Sequence, residues 1–401
     1  MLPHELTKLA TAEVQDFIFA HAGDDENKMV LRQREILGVP TALIAQQIAA
    51  RRKAESKLSL FYKTSGVVYP PSVNVEQSSS EATARFKAEI ISKELGQKKL
   101  IAADLTAGFG VDSFFLSKIC ARVDSVEPNP ALNSITQHNF SLLKLKNVQC
   151  HPLDAELFLD QNQSLYDFIY LDPSRRDSHS KKVFRLADCQ PNVQTLLPKL
   201  FERTNLVLLK ASPLLDLQQG QSELGNVKKV IVVSVGNECK ELLFIIQKEF
   251  VGEPKIETYN LDSLGNTKQD FDFYLSDEKK SVSDFGTPQT YLYEPNASIL
   301  KSGAFKLIGK KFGLQKLHPG THLYTSSSLS KKFPGRVFKI DAIEFAAKDF
   351  PNRKANVLTR NFPMKPEELK KKLKLTDGGE KYVIAFSGKK KKYIVAATRL
   401  V

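Results

Sequence analysis

From residue 82 onward the chain switches repeatedly between two hydrophobic rhythms. Apolar side chains recur at helical spacing over 82–95 and then crowd into a short run, Ile101 to Leu105, that reads as a buried strand. The pattern predicts a helix from near Val111, a strand at 122–126, a helix at 131–143 and a strand at 148–151. A helix at 155–159 and a strand at 168–171 follow. This alternation is the βαβαβ rhythm of a doubly wound parallel sheet. It continues through a helix at 193–200 and strands at 205–210, 228–235 and 241–247, the last two placed as an antiparallel edge.

Outside this core the rhythm differs. Residues 1–68 read as helical, with apolar positions near helical spacing at 42–48 and 58–62. Between 69 and 81, Tyr69-Pro70-Pro71 and the serines at 78–80 predict extended chain that ends in helix-capping residues. After about 250 polar turns take over, and strands reappear at 336–345, 355–360, 382–387 and 393–398. A helix over 366–375 opens with Pro-Glu-Glu and continues into lysines, the order a helix dipole favours. Four regions follow: 1–68, 69–250, 251–330 and 331–401.

Charge sharpens that division. Of 58 Lys and Arg and 45 Asp and Glu, 24 basic and 7 acidic residues lie from Lys301 onward, a balance of +17. The first 300 residues balance at −4. A basic module attached to a near-neutral body suits a polyanion such as RNA or DNA. A solvated lysine-rich face that keeps the chain soluble is the alternative. No apolar run approaches membrane-spanning length and no signal-like start is visible, so the expected location is cytoplasmic. The four cysteines (Cys120, Cys150, Cys189, Cys239) lie far apart, which supports neither a disulfide framework nor a four-thiolate metal site. No metal is expected, and the oligomeric state is left open.

Candidate chemistry concentrates after four strands. The run Asp104-Leu105-Thr106-Ala107-Gly108-Phe109-Gly110-Val111-Asp112 places glycines between a strand and a helix N-terminus, where backbone can approach a ligand closely. A dinucleotide fingerprint would carry a third glycine, but Ser113 stands there, and Asp104 would repel a pyrophosphate. A cationic ligand suits the position better, and S-adenosyl-L-methionine offers an ammonium and a sulfonium. Glu127 lies 23 residues after Asp104, where it can accept from both ribose hydroxyls. Asp154 follows the third strand, suited to an adenine amino group. Asp172-Pro173-Ser174-Arg175-Arg176 follows the fourth, beside the crevice where ligands bind in open α/β sheets. Each acid alone also reads as a cap or a solvated loop residue; the register over successive strands is what joins them.

This set resembles motifs one to four of the class I S-adenosylmethionine-dependent methyltransferases. Glu76-Gln77 with the following Ser-rich stretch resembles the E-Q-x-x-T segment that precedes the core in some RNA methyltransferases and helps enclose the cofactor. Tyr291-Leu292-Tyr293-Glu294-Pro295-Asn296, Lys316-Leu317-His318, Phe333-Pro334-Gly335-Arg336 and Arg360-Asn361-Phe362-Pro363 are similar to a bacterial family whose core is followed by a ferredoxin-like segment and a THUMP-like domain. "Ferredoxin-like" names a fold and implies no cluster. The resemblance implies a Rossmann-like α/β methyltransferase core with C-terminal α+β domains, S-adenosyl-L-methionine as cofactor and a base in RNA as substrate. It assigns Glu76, Gln77, Asp104, Thr106, Gly108, Gly110, Asp112, Glu127 and Asp154 to the cofactor, and Asp172, Pro173 and Arg175 to catalysis.

One departure bears on the substrate. Amino-group methyltransferases acting on bases usually show D/N-P-P-Y/F at the fourth motif, and here Ser174 and Arg175 replace the second proline and the aromatic. Phe61, Tyr62 or Tyr69 are alternative stacking rings, and Cys189 is the nearest thiol for carbon-5 chemistry, which needs a cysteine nucleophile. Two other functions stay open: an RNA-binding protein with a non-catalytic core, and a small-molecule methyltransferase.

Overall fold

A run such as Phe168-Ile-Tyr-Leu171, with every side chain buried, must sit in the middle of a sheet covered on both faces. In the computed structural model, which describes residues 3–96, 99–175 and 185–400, it is the fourth strand of such a sheet. The chain divides into two units, 1–230 with 240–252 and 261–266, and 231–239 with 253–260 and 267–401.

Six neighbouring strands of that sheet are β1 (Leu100–Asp104), β2 (Cys120–Val126), β3 (Val148–His151), β4 (Phe168–Leu171), β5 (Leu206–Ala211) and β6 (Glu238–Gln247). They are ordered β6-β5-β4-β1-β2-β3. The first five run parallel and β6 pairs antiparallel with β5, Leu242 opposite Ala211. The chain therefore leaves β1 toward β3 and returns to β4 on the other side of β1. That reversal opens a crevice at the carboxyl ends of β1 and β4.

The covering helices follow their capping residues. Ser80 accepts from Thr83 N–H and starts Glu81–Leu95, which Gly96 ends with a left-handed φ of 60°. Asn129 caps Pro130–Leu142, with proline in the first turn. The segment before Glu81 departs from the expectation of extended chain: Ser72–Gln77 forms a short helix directly after Pro71. The helices before residue 69 belong to the same unit as the sheet. Phe61, fully buried, packs its ring against Phe109 and Phe114 at centroid distances of 5.4 and 5.8 Å. Among the described residues no helix is long and apolar enough to cross a membrane.

The second unit holds a seven-stranded sheet in the order 315–318, 321–326, 291–295, 335–342, 392–399, 381–387, 356–360. Strand Asn356–Arg360 runs parallel to Lys381–Ser387, with helix Pro366–Lys372 between them in the chain, as the β-α-β pattern predicts. Side chains alternate between two cores. Ile384 and Phe386 join Leu292 and Phe338, whereas Val383 and Ala385 join Val357 and Leu369. Strands before residue 330 escaped the sequence reading because they are only partly apolar. Thr267–Tyr274, for example, buries only Phe271 and Phe273.

Candidate active site

The glycine turn after β1 is held by the groups around it. Asp104, fully buried at the end of the strand, accepts from Ser113 Oγ at 2.6 Å and from Thr106 N–H at 3.2 Å. Ser113 therefore occupies the third fingerprint position as an internal partner of Asp104, and its Oγ also lies 3.0 Å from Ser125 Oγ. The two glycines divide the work. Gly108, at φ +54°, has open space where a side chain would be. A Cβ on Gly110, at φ +80°, would lie 2.6 Å from Thr136 and Phe140, so this glycine lets helix Pro130–Leu142 pack against the turn.

A cavity of about 830 Å³ opens at this crevice, lined among others by Gln77, Thr106, Gly108, Asp112, Glu127, Asp154, Asp172 and Lys210. Glu127 bridges two backbone donors, Gly108 N–H at 3.1 Å and Asn129 N–H at 2.9 Å, and burial raises its pKa. Asp154 lines the opening and caps the next helix, its Oδ1 accepting from Leu157 N–H at 2.7 Å. The first and fourth motifs are joined directly, since Asp172 N–H donates to Thr106 Oγ1 at 2.6 Å.

Beneath this wall lies a network of charge. Lys87, only 1% exposed, donates to both oxygens of Glu241 (3.2 and 3.1 Å) and to Ser79 Oγ (2.9 Å), and lies 3.1 Å from Asp112 Oδ1. Asp112 Oδ2 accepts from Ser79 Oγ at 2.7 Å and from Tyr170 OH at 2.9 Å. Lys210 donates to Asp172 Oδ2. Burial alone would raise Asp112, but Lys87, Lys210 and the Ser79 hydrogen bond bring it below the ordinary carboxylate value. Burial opposes the charge on Lys210 too, but Asp172, Glu241 and Asp112 outweigh it and hold its pKa high. Asp104 goes the other way. Burial first, and then the charges of Asp112 and Asp172, push it up to about 7. Lys57 and Lys240 also act on this cluster, but the cavity lining itself carries five carboxylates (Asp112, Glu127, Asp154, Glu156 and Asp172) against one lysine, Lys210. Such a site favours a cationic ligand.

Several expected residues stand elsewhere. Glu76 is absent from the cavity wall and pairs with Lys53 in solvent, while its neighbour Gln77 does line the cavity. Asp104 and Gly110 lie behind the wall and shape it. Pro173 is buried and is also outside the lining. Arg176 and the side chain of Arg175 lie outside the described residues; the backbone of Arg175 pairs with Cys189 in a short strand. Phe61 and Tyr69 are 0% and 1% exposed, which corrects the expectation that either could stack on a base. Cys189 is fully buried and its Sγ lies 3.6 Å from Arg185 O, so it does not offer an accessible nucleophile. The sequence reading missed Lys87 and Glu241. A signal for Lys87 existed, because it stands one helical turn from Thr83 and Ile91 on the buried stripe of Glu81–Leu95.

Family models match a ferredoxin-like domain over residues 291–334 and a THUMP domain-like region over 335–399. Over 105 residues the chain is 38% identical to ribosomal RNA small subunit methyltransferase J of Bdellovibrio bacteriovorus, covering 24% of this chain and 41% of that one. It is 28% identical over 181 residues to the enzyme of the same name from Acinetobacter baumannii, covering 41% and 61%. The chain thus spans about half the length of the curated relatives it matches. A crystal structure from Porphyromonas gingivalis W83, described as a candidate methyltransferase, matches over all of both chains with 28% identity and a TM-score of 0.87. The chain is a mixed α/β protein with ferredoxin-like and THUMP-like C-terminal domains, and it is related to methyltransferases.

Proposed function

We propose that this protein is an S-adenosyl-L-methionine-dependent methyltransferase acting on a base in RNA. The observation that carries the proposal is the convergence of Gly108, Asp112, Glu127, Asp154 and Asp172 on one cavity whose wall carries more carboxylates than cations. The residues suit this cofactor. Gly108 leaves room for close approach, the Asp112 side favours an ammonium, and Glu127 stands at the end of β2 for the ribose hydroxyls. Asp154 would meet the adenine at the rim. Glu76 has no part in this assignment, and Asp104 and Gly110 act by shaping the turn. When bound, the cofactor supplies an electrophilic methyl group on a sulfonium.

The protein supplies position and proton acceptors. Thr106 fixes the backbone of Asp172, and Lys210 fixes its carboxylate through Oδ2, leaving Oδ1 to orient a target N–H and to accept its proton. Ribosomal RNA stands in the names of the related enzymes, and the basic region from Lys301 onward gives such a polyanion a surface. The Lys210 pair also favours a second reading, a core that binds cofactor without turnover, because it occupies one oxygen of the proposed acceptor.

Calorimetric titration with S-adenosyl-L-methionine and S-adenosylhomocysteine, repeated on Glu127→Ala, tests the cofactor. The expected result is micromolar binding that the variant loses. Incubation with labelled cofactor and total RNA then tests turnover. Binding without label transfer to any RNA would favour the second reading, and no binding at all would reject the cofactor assignment.

A further inference from the structure

Three sequence motifs that the cavity leaves unused meet in the second unit. They contribute Glu294 from strand Tyr291–Pro295, Arg336 from Gly335–Ala342 and Arg360 from Asn356–Arg360. Glu294 and Arg336 are cross-strand partners. Arg360 comes from the edge strand at the far end of that sheet, three places beyond 335–342. A curl of the sheet brings it near, fastened by Thr321. Thr321 Oγ1 donates to Ser387 O at 2.8 Å and accepts from Asn361 Nδ2 at 3.2 Å.

Glu294 is 3% exposed, and each of its oxygens holds one guanidinium. Arg336 Nε donates to Oε2 at 2.7 Å, with its Nη2 paired to the same oxygen, and Arg360 Nε donates to Oε1 at 2.5 Å. Arg360 Nη1 donates to Thr359 O at 2.8 Å. Among the described residues, Arg336 Nη1 and Arg360 Nη2 have no protein partner. The arginine side chains are 21% and 38% exposed, so both reach solvent.

Charge balance separates a clamp from a site. One arginine neutralises Glu294, and the second leaves a net positive charge at a half-buried position, where an anion offsets the desolvation. A guanidinium held rigid through Nε offers its remaining N–H groups in the planar fork that matches phosphate oxygens. The chain between Glu294 and Arg336 adds basic charge only, since residues 301–334 contain seven lysines and no Asp or Glu.

We propose that Arg336 and Arg360, oriented by buried Glu294, form a phosphate-binding site that takes a phosphodiester of RNA. The identity of the ligand rests on the RNA reading above, whereas the site itself is independent of the cofactor.

The test is fluorescence anisotropy of the full chain with a labelled single-stranded RNA of mixed sequence over a series of KCl concentrations. Arg360→Gln is expected to weaken binding about fivefold and to reduce the slope of log affinity against log salt by about 0.7, the value for one phosphate of a single strand. Wild-type affinity and slope in the variant would overturn the site, and a lowered melting temperature beside them would leave Arg360 only the task of closing the sheet. If Arg360→Gln does not fold, Arg360→Lys decides. It keeps the charge and removes the fork, so weaker affinity at the wild-type slope supports the site and wild-type affinity rejects it. A wild-type protein without salt-dependent RNA binding rejects the RNA reading as well. That result is distinguishable from a failure confined to the variants.

Discussion

Two charged regions of this molecule obey different physics. Around the cavity of the first unit, Lys87, Asp112, Glu241 and Asp104 are buried, and each carboxylate or ammonium has a protein partner. Along the C-terminal sheet the lysines at 389–392 are exposed. Lys389 and Lys391 rest near the rings of Phe285 and Tyr393. Buried charges act singly and are sensitive to loss of one partner, whereas exposed charges act by sum and are screened by salt. The position of a charge relative to water, more than its sign, sets what one substitution does.

The largest effect should come from Asp172. Asp172→Asn is expected to lower methyl transfer by about 10²- to 10⁴-fold, the range of a lost proton acceptor, with cofactor affinity within a few fold. Single-turnover kinetics beside calorimetry would show it, and parallel loss of both would remove the proposed role.

Next in size is the partner network. Lys87→Met leaves Asp112 and Glu241 buried without their shared cation, and should cost about 3–5 kcal/mol in chemical denaturation. Its cofactor binding should also weaken as pH falls, because Asp112 without Lys87 takes up a proton more readily. A stable variant with a wild-type binding profile would mean that the network is incidental.

Asp104 gives a smaller but cleaner signal. Its folded pKa of about 7 exceeds the ordinary 3.8, so the stability it contributes is fully present below 3.8 and is lost as pH rises through about 7. A cationic ligand in the cavity, on the other side of the wall from Asp104, favours its ionised form. Cofactor binding near pH 6 should therefore release protons, and binding near pH 8 should release almost none from this group. Calorimetry in buffers of different ionisation enthalpy measures that release, and Asp104→Asn should abolish it. Undiminished release from Asp104→Asn would assign the proton to another group.

Least of all should follow from single changes in the basic hairpin. Lys389→Ala or Lys390→Ala should change RNA affinity less than about threefold, while replacing several lysines together should lower the salt slope by about 0.7 for each phosphate no longer neutralised. A single lysine with an effect as large as that expected for Arg360 would break the contrast between charges that act by sum and charges held in place by a buried partner.

Much of the core was legible because it rests on local rules. Hydrophobic runs gave β1 to β5, capping residues gave the starts of helices Glu81–Leu95 and Pro130–Leu142, and the acids after β1, β2, β3 and β4 marked the crevice. The second unit was less legible before residue 330. Its strands there are short or mixed in composition: Thr267–Tyr274 buries only Phe271 and Phe273, and Gln315–His318 buries only its two central residues.

The amino-acid sequence by itself determined the α/β alternation, the glycine turn, the chain positions of Glu127, Asp154 and Asp172, and the basic C-terminal region, because each depends on neighbours within a few residues or on a count of charge. Only the tertiary structure decided which side chains use those positions. It turned Glu76 away to Lys53, set Asp104 behind the wall with Ser113, and buried Phe61 and Tyr69 beside Phe109. It also brought Lys87 to Glu241, 154 residues later, and Arg360 to Glu294, 66 residues earlier. Spacing along the chain carries no information about such pairings; they follow from how helices pack on a sheet and how a sheet curls.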